Sequence, residues 1–151
     1  MKREAQSTKI EKRITKAFDE LGERKTAPRR AIARSLMSLG RSGDAFTAED
    51  LLKRLRRATP HIGRATVYRS IEKLVRMNVL DRVEFADGTH SFRLCESGSH
   101  HHHLACTKCH RIVELDFCPE PDQIAAIGKR QGFEIAGHSF TLFGLCKDCR
   151  Q

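Results

Sequence analysis

The sequence has no apolar run that approaches membrane-spanning length, no secretory signal and no internal repeat. The first absence excludes a transmembrane helix, which needs about 20 apolar residues in a row. The second argues against a secreted, disulfide-built domain and places the chain in a reducing cytoplasm, where cysteines stay available as metal ligands. The third excludes solenoids and propellers. Basic residues, not acidic ones, are unevenly spread. Residues 1–82 hold 21 Lys and Arg against 10 Asp and Glu, whereas residues 83–151 hold 7 against 9. A basic first half suits a phosphate backbone, although a basic surface is often simply solvated. At 151 residues, 39% hydrophobic and 31% charged, the chain has room for one domain or two small ones.

Cysteine and histidine are concentrated where the basic excess ends. His100-His101-His102-His103-Leu104-Ala105-Cys106-Thr107-Lys108-Cys109 contains four of the eight His and two of the six Cys. A second CxxC, Cys146-Lys147-Asp148-Cys149, lies near the C-terminus. Two such pairs, each presented by a tight turn, supply the four thiolates of a closed tetrahedral zinc site. The competing readings are a redox CxxC and a pair of disulfides. If the His run is extended, His100 and His102 point to one face and His101 and His103 to the other. Imidazole suits zinc, copper, iron and nickel, so the alternation suggests two further metal positions. The alternative is a solvated His-rich loop.

The first half reads as helices. Ile10, Ile14, Ala17, Phe18 and Leu21 recur at helical spacing, with Gly22 as a stop. Thr26-Ala27-Pro28 starts a second helix, which Gly40 is expected to end. Thr47 and Asp50 form a near capping box before Leu51, Leu52 and Leu55, and Thr59-Pro60 closes that helix. Gly63-Arg64-Ala65-Thr66-Val67-Tyr68-Arg69 opens a fourth helix with Val67, Ile71, Leu74 and Val75 as its buried stripe. Its other face offers Arg64, Thr66, Tyr68 and Arg69, the residue types that contact phosphates and base edges in a helix-turn-helix. Residues 79–85 and 91–94 alternate like strands around Asp87-Gly88, a hairpin signal that reads as a wing. Further on, residues 111–117, 133–135 and 139–143 read as strands, with a helix from Ile124 to near Gly132. The expected class is α+β: a winged helix-turn-helix over 1–95, a hinge at 96–99, and a small metal-binding dimerisation domain over 100–151.

Thr26-x-Pro28-Arg29, Ala65-Thr66-Val67-Tyr68-Arg69, the HHHHLxCxxC run and the CxxC after Phe143-Gly144 together resemble the ferric uptake regulator family of bacterial metal-dependent repressors. The resemblance spans nearly the whole chain. It implies a homodimer that binds double-stranded operator DNA when metal-loaded, with no catalytic residues and no membrane partner. It also implies a sensor site made of Asp81, Cys95, His101 and His103, with His90 and Glu84 as rivals to Asp81. The Cys at position 95, and Ala45 or Phe46 where iron and peroxide sensors carry a His, make the chain most similar to the zinc uptake regulator branch. Iron or manganese at the sensor, or a peroxide-sensing role, are the alternatives within the family, and a zinc storage protein or chaperone is the alternative outside it. A third site is implied at His100, His102 and His138. Pro121 occupies the position of its usual acid, so Glu120 or Asp122 must substitute. A metallohydrolase using the His run with Glu114 as base leaves the basic half without a role.

Overall fold

The computed structural model describes residues 2–19, 26–42, 45–95 and 100–150. The chain divides into two units, Met1–Gly98 and Ser99–Gln151. The stop expected at Gly22 and the hinge at 96–99 lie outside the described residues.

The first unit holds α1 (Lys2–Asp19), α2 (Ala27–Ser42), α3 (Ala48–Ala58), α4 (Arg64–Arg76), β1 (Leu80–Glu84) and β2 (His90–Leu94). Helical spacing of apolar residues buries Ile10 and Ile14 from α1, Ile32 and Leu36 from α2, Leu51 and Leu55 from α3, and Val67, Ile71 and Leu74 from α4 in one core. Contrary to the expected stop at Gly40, α2 runs on to Ser42. A lone glycine costs a helix only about 1 kcal/mol, which packing of the α2 stripe offsets.

The α3 start is a full capping box. The Asp50 amide donates to Thr47 Oγ1 (3.1 Å) and the Thr47 amide donates to Asp50 Oδ2 (3.0 Å). Hydrogen bonds from the Thr47 side chain and then its amide hold the Asp50 carboxyl below its ordinary range. Thr47→Ala is expected to cost about 1 kcal/mol in denaturant unfolding of this unit. A depressed carboxylate contributes stability above its unfolded pKa and loses it as pH falls through the folded value. The penalty should therefore shrink on acidification through the carboxylate range. A penalty that stays constant into acid would separate the loss from the Asp50 charge.

β1 and β2 pair antiparallel from Leu80↔Leu94 to Glu84↔His90. Their turn closes through the Phe85 amide donating to the Thr89 carbonyl (2.9 Å), with Gly88 at φ 79°. Asp87 Oδ1 accepts from the Thr89 amide (2.9 Å), so the Asp-Gly signal acts through both residues. Phe46 and Phe92 exchange backbone hydrogen bonds of 2.8 Å each way, which fastens the segment before α3 to the hairpin. Three helices ending in α4 and followed by this hairpin make a winged helix-turn-helix.

The second unit holds β3 (His102–Cys106), β4 (Ile112–Leu115), α5 (Pro121–Gln131) and β5 (Thr141–Gly144). The sheet order is β4-β3-β5, antiparallel on one side of β3 and parallel on the other. Residues 133–135 are not a strand. Gly132 caps α5 in the left-handed conformation at φ 73°, and the Phe133 amide turns back to the Gly128 carbonyl (2.9 Å). A Cβ on Gly128 would lie 2.6 Å from both the Phe133 carbonyl oxygen and the Ile135 side chain. The segment is thus committed to packing on α5. No helix among the described residues is long and apolar enough to cross a membrane.

Candidate metal centres and nucleic-acid interface

The four-cysteine cluster follows from strand register. Cys106 ends β3 opposite Gly144 of β5, and the Thr107 amide donates to the Gly144 carbonyl (2.9 Å). This parallel pairing sets the second CxxC beside the first. Each pair closes its own tight turn: His110 N–H donates to the Cys106 carbonyl (3.0 Å), with His110 at φ 58°, and Cys149 N–H to the Cys146 carbonyl (2.9 Å). The four Sγ atoms of Cys106, Cys109, Cys146 and Cys149 all lie within 4.8 Å of one another, and Cys109 Sγ to Cys146 Sγ is 3.7 Å. Zinc–sulfur bonds of about 2.3 Å in a tetrahedron require sulfur–sulfur edges of about 3.8 Å, so the donor set fits zinc. All six cysteines are free thiols, and the 3.7 Å sulfur spacing is that of a metal tetrahedron and not of an S–S bond.

Electrostatics favour the same conclusion. Amides of Cys109 and then Cys146 donate toward the Cys106 sulfur and pull its pKa down to about 6. The Cys146 amide lies 3.4 Å from that sulfur. Cys149 is pushed up to about 12, chiefly by its hydrogen bond with the Cys146 side chain. One thiolate is thus ready-made, while another thiol holds a proton that a divalent cation must displace. The Arg111–Asp148 ion pair (3.3 Å) joins the two turns, but both partners are exposed and it contributes little.

The proposed sensor residues are distributed between the units. In the first, Asp81 and Cys95 bring a carboxylate oxygen and Sγ within 4.8 Å of each other. Cys95 is buried. Its amide donates to the Val79 carbonyl (3.0 Å), and its carbonyl accepts from the Arg13 guanidinium (2.6 Å), which also reaches the Asn78 carbonyl. In the second unit, the His101 and His103 rings pack edge to face at 4.8 Å. His101 also comes within 4.8 Å of a Glu114 carboxylate oxygen. Sequence reading gives Glu114 no ligand role. The available signal is register, since Glu114 of β4 stands directly opposite His103 of β3.

The other face of the His run gathers His100, His102 and His138, and the fourth donor in mutual reach is Cys118. Glu120 stands outside this set of close donors. It is the N-cap of α5, exposed, with its carbonyl taken by the Gln123 and Ile124 amides. His102 is buried and stacks on Phe140 at 3.8 Å. Burial, then the neighbouring His100 and His138, hold its pKa below the ordinary imidazole value, which keeps it in the neutral, ligating form.

On α4, Tyr68 donates to Glu49 Oε1 (2.9 Å), and Arg64 pairs with the same carboxylate. Arg64 also lies over the Tyr68 ring at 5.4 Å. Thr66 and Arg69 face elsewhere, into a groove of about 390 Å³ shared with Thr26, Arg29 and Lys73. Sequence reading supplies Arg64, Thr66, Tyr68 and Arg69 but misses Glu49, which ties two of them, and Arg29, which faces the same groove as the other two.

Residues 20–143 match the ferric uptake regulator family. The chain belongs to the ferric uptake regulator family. It is 32% identical over 139 residues to the ferric uptake regulation protein of Bacillus subtilis, across 91% of this chain and 92% of that one. Among solved structures it is similar to the Vibrio cholerae ferric uptake regulator (TM-score 0.63, 28% identity, covering 87% of this chain and 98% of that one). A zinc uptake regulator complexed with zinc and DNA shares the fold (TM-score 0.68, 23% identity, 94% and 93% covered). As a member of the family the protein is a metal-responsive, DNA-binding transcriptional regulator and not an enzyme. Its four-cysteine cluster suits zinc.

Proposed function

We propose that the protein is a zinc-responsive repressor that binds operator DNA as a homodimer and controls metal uptake genes. The buried Cys95 thiol beside Asp81 carries this reading. A set of Asp81, Cys95, His101 and His103, with Glu114 as a further donor, mixes thiolate, imidazole and carboxylate, which suits borderline-soft zinc better than Fe²⁺ or Mn²⁺. Bound metal supplies positive charge and fixed coordination directions. Cys95 and Asp81 are held by the wing strands, whereas His101 and His103 belong to β3 and the segment before it. A ligand-driven switch requires a differential contact between states, and metal ligation by these side chains supplies one. The identity to the Bacillus subtilis ferric uptake regulation protein favours an iron-responsive repressor as the second reading.

Homodimerisation has its own support. Leu104 stands opposite Val113 on one side and Leu142 on the other, so an apolar row crosses all three strands. These side chains are 42%, 41% and 49% exposed, and a second copy offers the same row in return.

We infer that DNA binds at the N-terminal half of α4, with Arg69 contacting phosphate and Tyr68 as a further contact. A mobility-shift assay with and without zinc separates a regulator from a storage protein, which has no zinc-dependent shift. Arg69→Ala should weaken binding uniformly across sequences and reduce the salt slope by about one unit. Unchanged affinity and slope would remove Arg69 from the interface.

A further inference from the structure

We propose that Cys118, not an acidic residue of α5, is the fourth ligand beside His100, His102 and His138, and that these four side chains form a closed zinc site of one thiolate and three imidazoles. His100 Nε2 is 3.1 Å from His102 Nε2 and 3.1 Å from His138 Nε2, and Cys118 Sγ is 3.2 Å from His138 Nε2. A tetrahedral zinc with bonds of about 2.0–2.1 Å to nitrogen and about 2.3 Å to sulfur needs edges of about 3.3–3.6 Å. The four donors therefore already stand close to the required spacing. Protons alone satisfy them poorly. An imidazole nitrogen carries one proton or one lone pair, so His100 Nε2 serves one of its two neighbours at a time. A divalent cation at the centre serves all four.

The sequence explains why the thiol takes this place. Cys118 is followed by Pro119-Glu120-Pro121. A residue before proline is driven to extended backbone, and each proline fixes its own φ. Cys118 is thereby presented by a stiff link between β4 and α5, while Pro121 opens the helix at the position where the family's acid is implied. The three segments that meet here are the start of β3, the β4–α5 link and the α5–β5 link. Among the described residues of this unit, the buried apolar side chains are only Ala105, Cys106 and Ile112. A second zinc joining these segments is a staple of the kind such a small core requires. With a thiolate and no open position, the site selects zinc over manganese and magnesium, which prefer oxygen ligands.

The first test uses the unaltered chain with its four-cysteine zinc in place. Cys118 is exposed in the fold, yet at one further equivalent of zinc beyond the sensor's it should resist iodoacetamide, and a chelator that spares the four-cysteine zinc should restore labelling. The second uses Co²⁺ in a Cys95→Ser background, where Cys118 is the remaining thiol outside the four-cysteine set. A thiolate-to-cobalt charge-transfer band should form and should vanish on adding Cys118→Ser. Cobalt affinity should fall by more than about 100-fold, since loss of a mere outer partner of a ligand costs about 10–100-fold. Glu120→Gln should alter neither band nor affinity. Labelling of Cys118 that ignores zinc, a band that survives Cys118→Ser, or a loss with Glu120→Gln matching that of His138→Ala would overturn the proposal. Operator binding is read in parallel, and its zinc response can fail while Cys118 protection persists, or the reverse.

Discussion

Cys106→Ser is expected to abolish the structural zinc and unfold residues 99–151 while the winged helix survives. The ordering entropy of a residue is about 1–2 kcal/mol, so this unit needs far more burial than Ala105, Cys106 and Ile112 provide among its described side chains. A structural four-ligand zinc supplies about 10–16 kcal/mol in isolated zinc-binding peptides, and that free energy is folding free energy. Cys106 is the most consequential of the four cysteines. It is buried, it holds the low pKa of about 6, and it lies at the β3–β5 register that joins the two turns. Protein purified without added zinc should carry about one tightly held zinc per chain, and the variant none, with loss of the sheet by NMR or circular dichroism and loss of the dimer. The first unit has an extensive core of its own and should keep its helical signal. A Cys106→Ser protein that retains zinc and melts with the wild type would refute the assignment.

Cys95→Ser is expected to remove most of the zinc response of operator binding without unfolding the protein. The thiol is small and its backbone is anchored independently, through its amide to Val79 and its carbonyl to Arg13, so serine can occupy the same position. A neutral hydroxyl replaces a thiolate, however. The free zinc needed for half-maximal operator binding should rise by at least about 100-fold, more than the 10–100-fold that loss of an outer partner causes. The zinc content of the four-cysteine cluster, measured on the same sample, should not change. Protein that titrates like wild type would exclude Cys95 from the sensor.

The parts of the fold that are legible in the sequence are those where a local rule has no competitor. Thr47 and Asp50 carry their own capping box, Asp87-Gly88 its own turn, and a paired CxxC its own metal geometry. Alternation along the His run separates His100 and His102 from His101 and His103 by simple strand periodicity. The misread elements each depend on a distant partner. Residues 133–135 have the composition of a strand, but Gly128 lets them fold back and pack closely on α5. Gly40 looks like a helix stop only while the packing of α2 is unknown. Glu114 becomes a candidate ligand only through its register with His103, and Glu49 is connected to Arg64 and Tyr68 only once α3 and α4 are packed. At the third site the sequence directs attention to acids near the start of α5. Cys118 reaches the three histidines because two prolines fix its link, which no periodicity reveals.

The measurement that bears most directly on the metal switch is operator binding by the unaltered protein across buffered free Zn²⁺, Fe²⁺ and Mn²⁺, with the four-cysteine zinc left in place and iron kept anaerobic. The zinc-sensor account predicts that Zn²⁺ activates binding at a far lower free concentration than either other metal. Activation by Fe²⁺ at a lower free concentration than Zn²⁺ would contradict it and leave the iron-responsive reading in its place.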